Sequence, residues 1–137
     1  MTGAGQMLKL ARPDLKVIAA EPENAALLSG KEWAPHKIQG WVPDFVPAVL
    51  DRTVVDQLVL VSDTESIATA RKLAAMEGIF CGISSGATMA AALKVADTAP
   101  AGSTFVVMLP DTCERYLSSP LFADITEESD DAWLATL

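Results

Sequence analysis

The sequence predicts an α/β domain with an open, mostly parallel sheet and flanking helices, and three observations carry that expectation. Four short apolar runs, residues 16–20, 57–61, 79–83 and 104–109, are near-continuous rather than alternating, the pattern of strands covered on both faces. Helical stretches separate them, and such alternation implies parallel pairing through right-handed crossovers. The chain has 137 residues, 50% of them hydrophobic, enough for one core and not for two.

Taken in order, Thr2-Gly3-Ala4-Gly5 leads straight into a short helix from Gln6 to Ala11 with no strand before it. A doubly wound domain normally sets its glycine-rich anion loop between a strand and such a helix, so the start reads as truncated. An edge left by a missing strand would expose unpaired backbone and an apolar face. The strand at 16–20 ends in the breaker Glu21-Pro22. Residues 31–49 hold Pro35, Pro43 and Pro47 and read as an irregular ligand-side loop. After the strand at 57–61, Ser62 and Glu65 make a capping-box spacing, with Ile67, Ala70, Leu73 and Ala74 following on one helical face. Gly78 is placed to stop that helix in the left-handed conformation. Ser84 and Ser85 then offer hydroxyls to the free N–H groups of a helix expected to begin near Gly86. The helix 87–96 is alanine-rich and can approach a sheet closely. Asp111 and Glu114 repeat the capping-box spacing after the last strand.

Composition narrows the function classes. Eighteen acidic against ten basic residues give a net charge of −8, which argues against nucleic acid or an anionic membrane as partner. Part of that acid lies in residues 124–137, read as an acidic C-terminal tail behind a domain at 1–123. Cys81, Cys113 and the lone His36 have no metal-ligand spacing, and both thiols are expected reduced and buried. His36 is expected to be a structural hydrogen-bonding residue. Trp33 and Trp41 are expected to pack a proline-rich loop, and Trp133 to dock on the core or stand exposed. No apolar stretch could span a bilayer, and a cytoplasmic location is expected.

In open α/β sheets, ligands sit where a strand ends and a helix begins. Ser84 stands at such a junction and is the first candidate for chemistry, although a helix cap is the commoner role for a serine so placed. Three blocks, Pro35-His36-Lys37-Ile38-Gln39-Gly40, Gly78 through Ala87, and Val106 through Ser118, occur at collinear spacing. Together they resemble the cysteine synthase family, O-acetylserine (thiol)-lyase, whose fold-type-II pyridoxal-phosphate enzymes include cystathionine β-synthase. The resemblance runs from about Thr2 to Ala123.

The resemblance implies a partial C-terminal domain of an enzyme making L-cysteine from O-acetylserine and sulfide by pyridoxal-phosphate-dependent β-replacement. Ser84 matches the serine that bonds the cofactor's pyridine nitrogen, and a neutral hydroxyl there suits elimination better than transamination. Pro110 and Asp111 match residues beside the ring, and Gln39 and Gly40 a loop near the substrate. No lysine matches the Schiff-base position, and the family's phosphate cradle lies upstream of the matched region, so the chain alone is expected to be inactive. Two departures stand out. Trp41-Val42-Pro43-Asp44 replaces the Ile-Gly-Ala-Gly common in the family, and Cys113 replaces a glycine, where a positive φ would strain a side chain. An amino-acid substrate, a homodimer and serine acetyltransferase are the candidate partners. The alternative is a non-catalytic truncated paralogue that binds another subunit or serine acetyltransferase.

Overall fold

The computed structural model describes residues 1–125 and 134–135. Its helices are α1 (Thr2–Ala11), α2 (Asp63–Glu77) and α3 (Ile83–Ala96), and its strands are β1 (Ile18–Pro22) and β2 (Gln57–Val61). The strands pair in parallel, Ile18 opposite Gln57 through Pro22 opposite Val61. The expected α/β class with a parallel sheet is therefore present. The β1–β2 crossover is irregular, carrying only short 3-10 turns at Glu23–Ala25 and Arg52–Val54.

The best-defined helix is the one with the clearest punctuation. Ser62 Oγ accepts the Glu65 N–H at 3.1 Å, while Glu65 Oε2 accepts the Ser62 N–H at 3.0 Å, closing the capping box. At the other end Gly78 takes φ 67°, and Ile79 N–H reaches back to the Leu73 carbonyl at 3.1 Å. Only glycine adopts that conformation without a Cβ penalty. The core gathers Val59 and Val61 from β2, Ala70 and Leu73 from α2, and Ile83, Ala87, Ala90 and Ala91 from α3. Ile38 and Leu121 join it from the connecting segments.

β1 runs through Glu21-Pro22 instead of stopping before them. Glu21 is 1% exposed, and its carboxylate accepts from Leu28 N–H at 2.7 Å, Ser29 N–H at 3.1 Å and Ser29 Oγ at 2.7 Å. A buried carboxylate survives because those donors replace water.

Four expectations need correction. Residues 79–83 form no strand, only an isolated antiparallel bridge between Cys81 and Thr112. Residues 104–109 belong to no strand, with Val106 97% exposed and Met108 72%. An apolar run becomes a strand only beside a continuous partner strand, and neither run has one among the described residues. Helix α3 starts at Ile83 with Gly82 as its N-cap and no side-chain cap bond, so Ser84 and Ser85 lie inside its first turn. The Asp111–Glu114 spacing yields a 3-10 turn, Cys113–Tyr116, whose N-cap is Thr112 with no side-chain cap bond. Cys113 does not take a positive φ. Among the described non-glycine residues that strain falls on Val42, at φ 40°.

The expected domain–tail junction is packed. Arg71 pairs with Asp124, and its Nε donates to the Leu121 carbonyl at 2.8 Å. Trp133 and most of the expected tail lie outside the described residues.

Candidate functional site

The first turn of α3 collects the sequence-predicted residues that can do chemistry. Gly82 N–H donates to the Asp111 carbonyl at 3.1 Å, and Cys113 N–H donates to Phe80 O at 3.3 Å. These bonds bring the segment after residue 109 against the start of the helix. A Cβ on Gly82 would overlap Asp111 Oδ1 and the Tyr116 ring, so glycine is what admits both side chains here.

Ser84 is 4% exposed and Ser85 is fully buried. Ser84 Oγ faces Asp111 Oδ1 at 3.4 Å, beyond the usual O–H···O range. Ser85 Oγ approaches the Asp111 backbone carbonyl, also at 3.4 Å. The strong bond at the site comes from a residue that sequence reasoning gave no role. Tyr116 Oη donates to Asp111 Oδ2 at 2.6 Å. Burial first, and then the Asp111 hydrogen bond and charge, push the Tyr116 phenol up to about 12. Its signal in the sequence was available: it is the only tyrosine, five residues after Asp111.

Both thiols are free and buried beside this cluster. Burial is the main cause raising each, with Cys113 pushed up to about 11. They are poor nucleophiles in that state, in keeping with the expectation of buried, reduced cysteines. No metal-binding cluster occurs among the described residues.

Of the remaining predicted residues, Pro110 is exposed directly before Asp111. Gln39 and Gly40 are exposed on the loop at 31–49, which is irregular as expected. No hydrogen bond among the described residues joins either of them to Ser84 or Asp111. The loop is nonetheless tied to the site's core through Ile38, fully buried, and Trp41, which packs against the same cluster. Trp33 Nε1 donates to the Val42 carbonyl at 3.1 Å, clasping the strained residue. His36 departs from its expected role. Its Nδ1 is buried without a hydrogen-bond partner, and its ring meets Trp33 edge-on at 6.4 Å. No helix among the described residues is long and apolar enough to cross a membrane.

The arrangement, then, is a neutral, buried, lightly engaged hydroxyl at a helix start, backed by a carboxylate that a phenol holds firmly. A family model described as pyridoxal-phosphate dependent enzyme matches residues 1–111. The chain is 58% identical over its whole length to O-ureido-L-serine synthase of Streptomyces lavendulae, and covers 42% of that protein. It is 40% identical over 123 residues to cysteine synthase of Staphylococcus aureus, covering 40% of it. The fold agrees. A crystal structure of a lysine-to-alanine variant of O-ureido-L-serine synthase, with O-ureido-L-serine bound, superposes on 98% of this chain with a TM-score of 0.94. O-acetyl serine sulfhydrylase isoform 3 from Entamoeba histolytica superposes with a TM-score of 0.85 at 39% identity, over 98% of this chain and 40% of that one. The chain thus spans about two fifths of the length of these relatives.

Proposed function

The chain belongs to the pyridoxal-phosphate-dependent enzyme family, and from that premise we propose that it is the C-terminal portion of an enzyme performing β-replacement on an O-activated L-serine such as O-acetylserine. The observation that carries the reading is the Ser84 hydroxyl, 4% exposed and held by Asp111 only at 3.4 Å. A buried hydroxyl so lightly engaged keeps its single proton available for another acceptor. That chemistry fits the pyridine-nitrogen end of the cofactor. When bound, the cofactor draws electrons from the substrate Cα so that the β-substituent can leave.

The residues of this chain then have distinct tasks. Ser84 meets the ring nitrogen with a neutral hydroxyl. Pro110 and Asp111 stand beside the ring, and Gln39 and Gly40 face the amino-acid substrate. The loop Trp41-Val42-Pro43-Asp44, clasped by Trp33, borders the side from which the attacking group arrives. The 58% likeness to O-ureido-L-serine synthase, against 40% to cysteine synthase, favours an N-hydroxyurea oxygen as that group. The Cβ–O bond to acetate would break first, with loss of the Cα proton and release of acetate; the N-hydroxyurea hydroxyl oxygen would then bond to Cβ, giving up its own proton as a proton returns to Cα. Attack by sulfide, giving L-cysteine, is the second reading, supported by the likeness to cysteine synthase. A domain at 1–123, an acidic tail at 124–137, homodimerisation, pairing with serine acetyltransferase and a cytoplasmic location belong to the same proposal.

The test joins the chain to the N-terminal part of O-ureido-L-serine synthase and assays O-acetylserine with hydroxyurea and with sulfide. Ser84→Ala removes one hydrogen bond worth about 1–3 kcal/mol, slowing turnover roughly 5- to 150-fold while cofactor retention holds. Ser85→Ala lowers thermal stability with little change in turnover. The chain alone shows no absorbance band of a lysine-bound cofactor. A joined protein that takes up no cofactor would overturn the enzymatic reading and leave a non-catalytic binding module.

A further inference from the structure

The proposed function uses Ser84 and leaves the strongest hydrogen bond beside it without a task. We propose that Tyr116 and Asp111 are a positioning pair for Ser84: the Tyr116 hydroxyl takes up one oxygen of the Asp111 carboxylate, so that the other does not capture the Ser84 proton. This deepens the cofactor-site reading and rests on it for its chemical purpose.

The geometry carries the argument. Tyr116 Oη lies 2.6 Å from Asp111 Oδ2, whereas Ser84 Oγ lies 3.4 Å from Oδ1. Hydrogen bonds of 2.5–2.7 Å to an ionised oxygen are the strong class, and one of 3.4 Å is weak. The carboxylate accepts and cannot donate, while the serine has a single proton to place. If that proton went to Asp111, Ser84 would offer a ring nitrogen only lone pairs and would favour its protonated form. With the charge of Asp111 engaged by the phenol, the Ser84 proton stays free to be donated to a neutral nitrogen. Both side chains pack close to Gly82, where an added Cβ would overlap Asp111 Oδ1 and the Tyr116 ring. Tyr116 itself is 5% exposed and Ser84 4%, so both groups are largely shielded from water.

Burial raises the phenol most, and among its neighbouring groups Asp111 alone adds to that rise. Arg115 favours the phenolate, as does the Ser84 hydroxyl, while the Asp111 carboxylate opposes it. Cys81 and Cys113 are neutral thiols at physiological pH, both raised by burial.

Two readouts need only the chain itself. Tyr116 is the sole tyrosine, so its phenolate absorbance titrates without overlap from any other residue of its kind. Asp111→Asn is expected to lower its pKa by about 1 unit or more. The crystal structure of Tyr116→Phe is expected to show Ser84 Oγ drawn to within about 3 Å of the freed carboxylate. An unshifted titration, or a Ser84 that stays at its present distance or turns away, overturns the pair.

A third readout isolates the purpose of the pair. In the chain joined to the N-terminal part of O-ureido-L-serine synthase, loaded with pyridoxal phosphate labelled with nitrogen-15 in the ring, Tyr116→Phe is expected to move the ring-nitrogen resonance toward its protonated value. Tyr116 restored at that position returns the resonance. If the joined protein takes up no cofactor while both chain readouts hold, the function reading fails and the pair stands. If cofactor binds and the resonance does not move, the pair does not govern Ser84 and the proposal is wrong.

Discussion

Gly86→Ala sets two effects of opposite sign against each other at one buried position. Gly86 lies in the first half of α3, buried between the fully enclosed Ser85 and Ala87. Alanine is the better helix former by about 1 kcal/mol, so on propensity alone the variant should gain stability. The tertiary contact says otherwise. A Cβ there would overlap the Ser66 carbonyl oxygen of α2 and come within 2.7 Å of Ala70 N and 2.8 Å of Ala70 Cβ. Those obstacles are helix backbone and a methyl group with no alternative rotamer, so the two helices must move apart. Overpacking of that kind costs about 1–3 kcal/mol, and a backbone obstacle puts it at the upper end. The net expectation is a loss of about 2 kcal/mol. With a urea slope of about 2 kcal/mol per molar for a chain of this size, the midpoint should fall by about 1 M at unchanged slope. Gly3→Ala in α1 is the comparison, since a Cβ there meets nothing within 4 Å. It should be neutral or stabilising by at most about 1 kcal/mol. If Gly86→Ala is as stable as the parent, or if both variants shift alike, the close approach of α2 and α3 is not what the glycine provides.

Three further outcomes follow from the surface of the molecule. Ser62→Ala opens the capping box and should cost about 1 kcal/mol in the same urea assay. The Lys94 hydrogen bond holds the Glu65 carboxyl below the usual carboxylate range, and the Arg71 hydrogen bond does the same for Asp124. Groups depressed in the folded state contribute stability above their unfolded pKa of about 4, and that contribution is lost as pH falls through the folded value. The urea midpoint should therefore drop on acidification below about pH 4, and less steeply in Glu65→Gln. Finally, Phe105, Val106 and Met108 are exposed on a segment that pairs with no strand among the described residues. The isolated chain should bind a hydrophobic dye and self-associate with rising concentration. Val106→Lys with Met108→Glu should suppress both, and unchanged dye binding would place the sticky surface elsewhere.

What could be read from the residues in order was whatever depends on neighbours a few positions apart. Ser62 and Glu65 close their capping box because N-cap and N3 are three residues apart in any helix. Gly78 ends α2 because its φ of 67° is a local steric matter. The apolar runs of β1 and β2 announced buried strands, and the order of the motifs around Ser84 announced the family. What the tertiary structure decided depends on partners distant in sequence. Residues 79–83 and 104–109 carry the same apolar signal as β1 and β2, yet they are not strands, because a strand exists only through hydrogen bonds to another segment. Glu21 looked like a breaker and is a buried anchor, because Leu28 and Ser29 turn back to supply its donors. Asp111 had the spacing of a capping residue. Its carboxylate instead serves Tyr116 and faces Ser84, because Gly82 leaves room for both side chains against the first turn of α3. Local steric rules are written in the chain itself, whereas the competition for one carboxylate is resolved only when helix and turn are packed together.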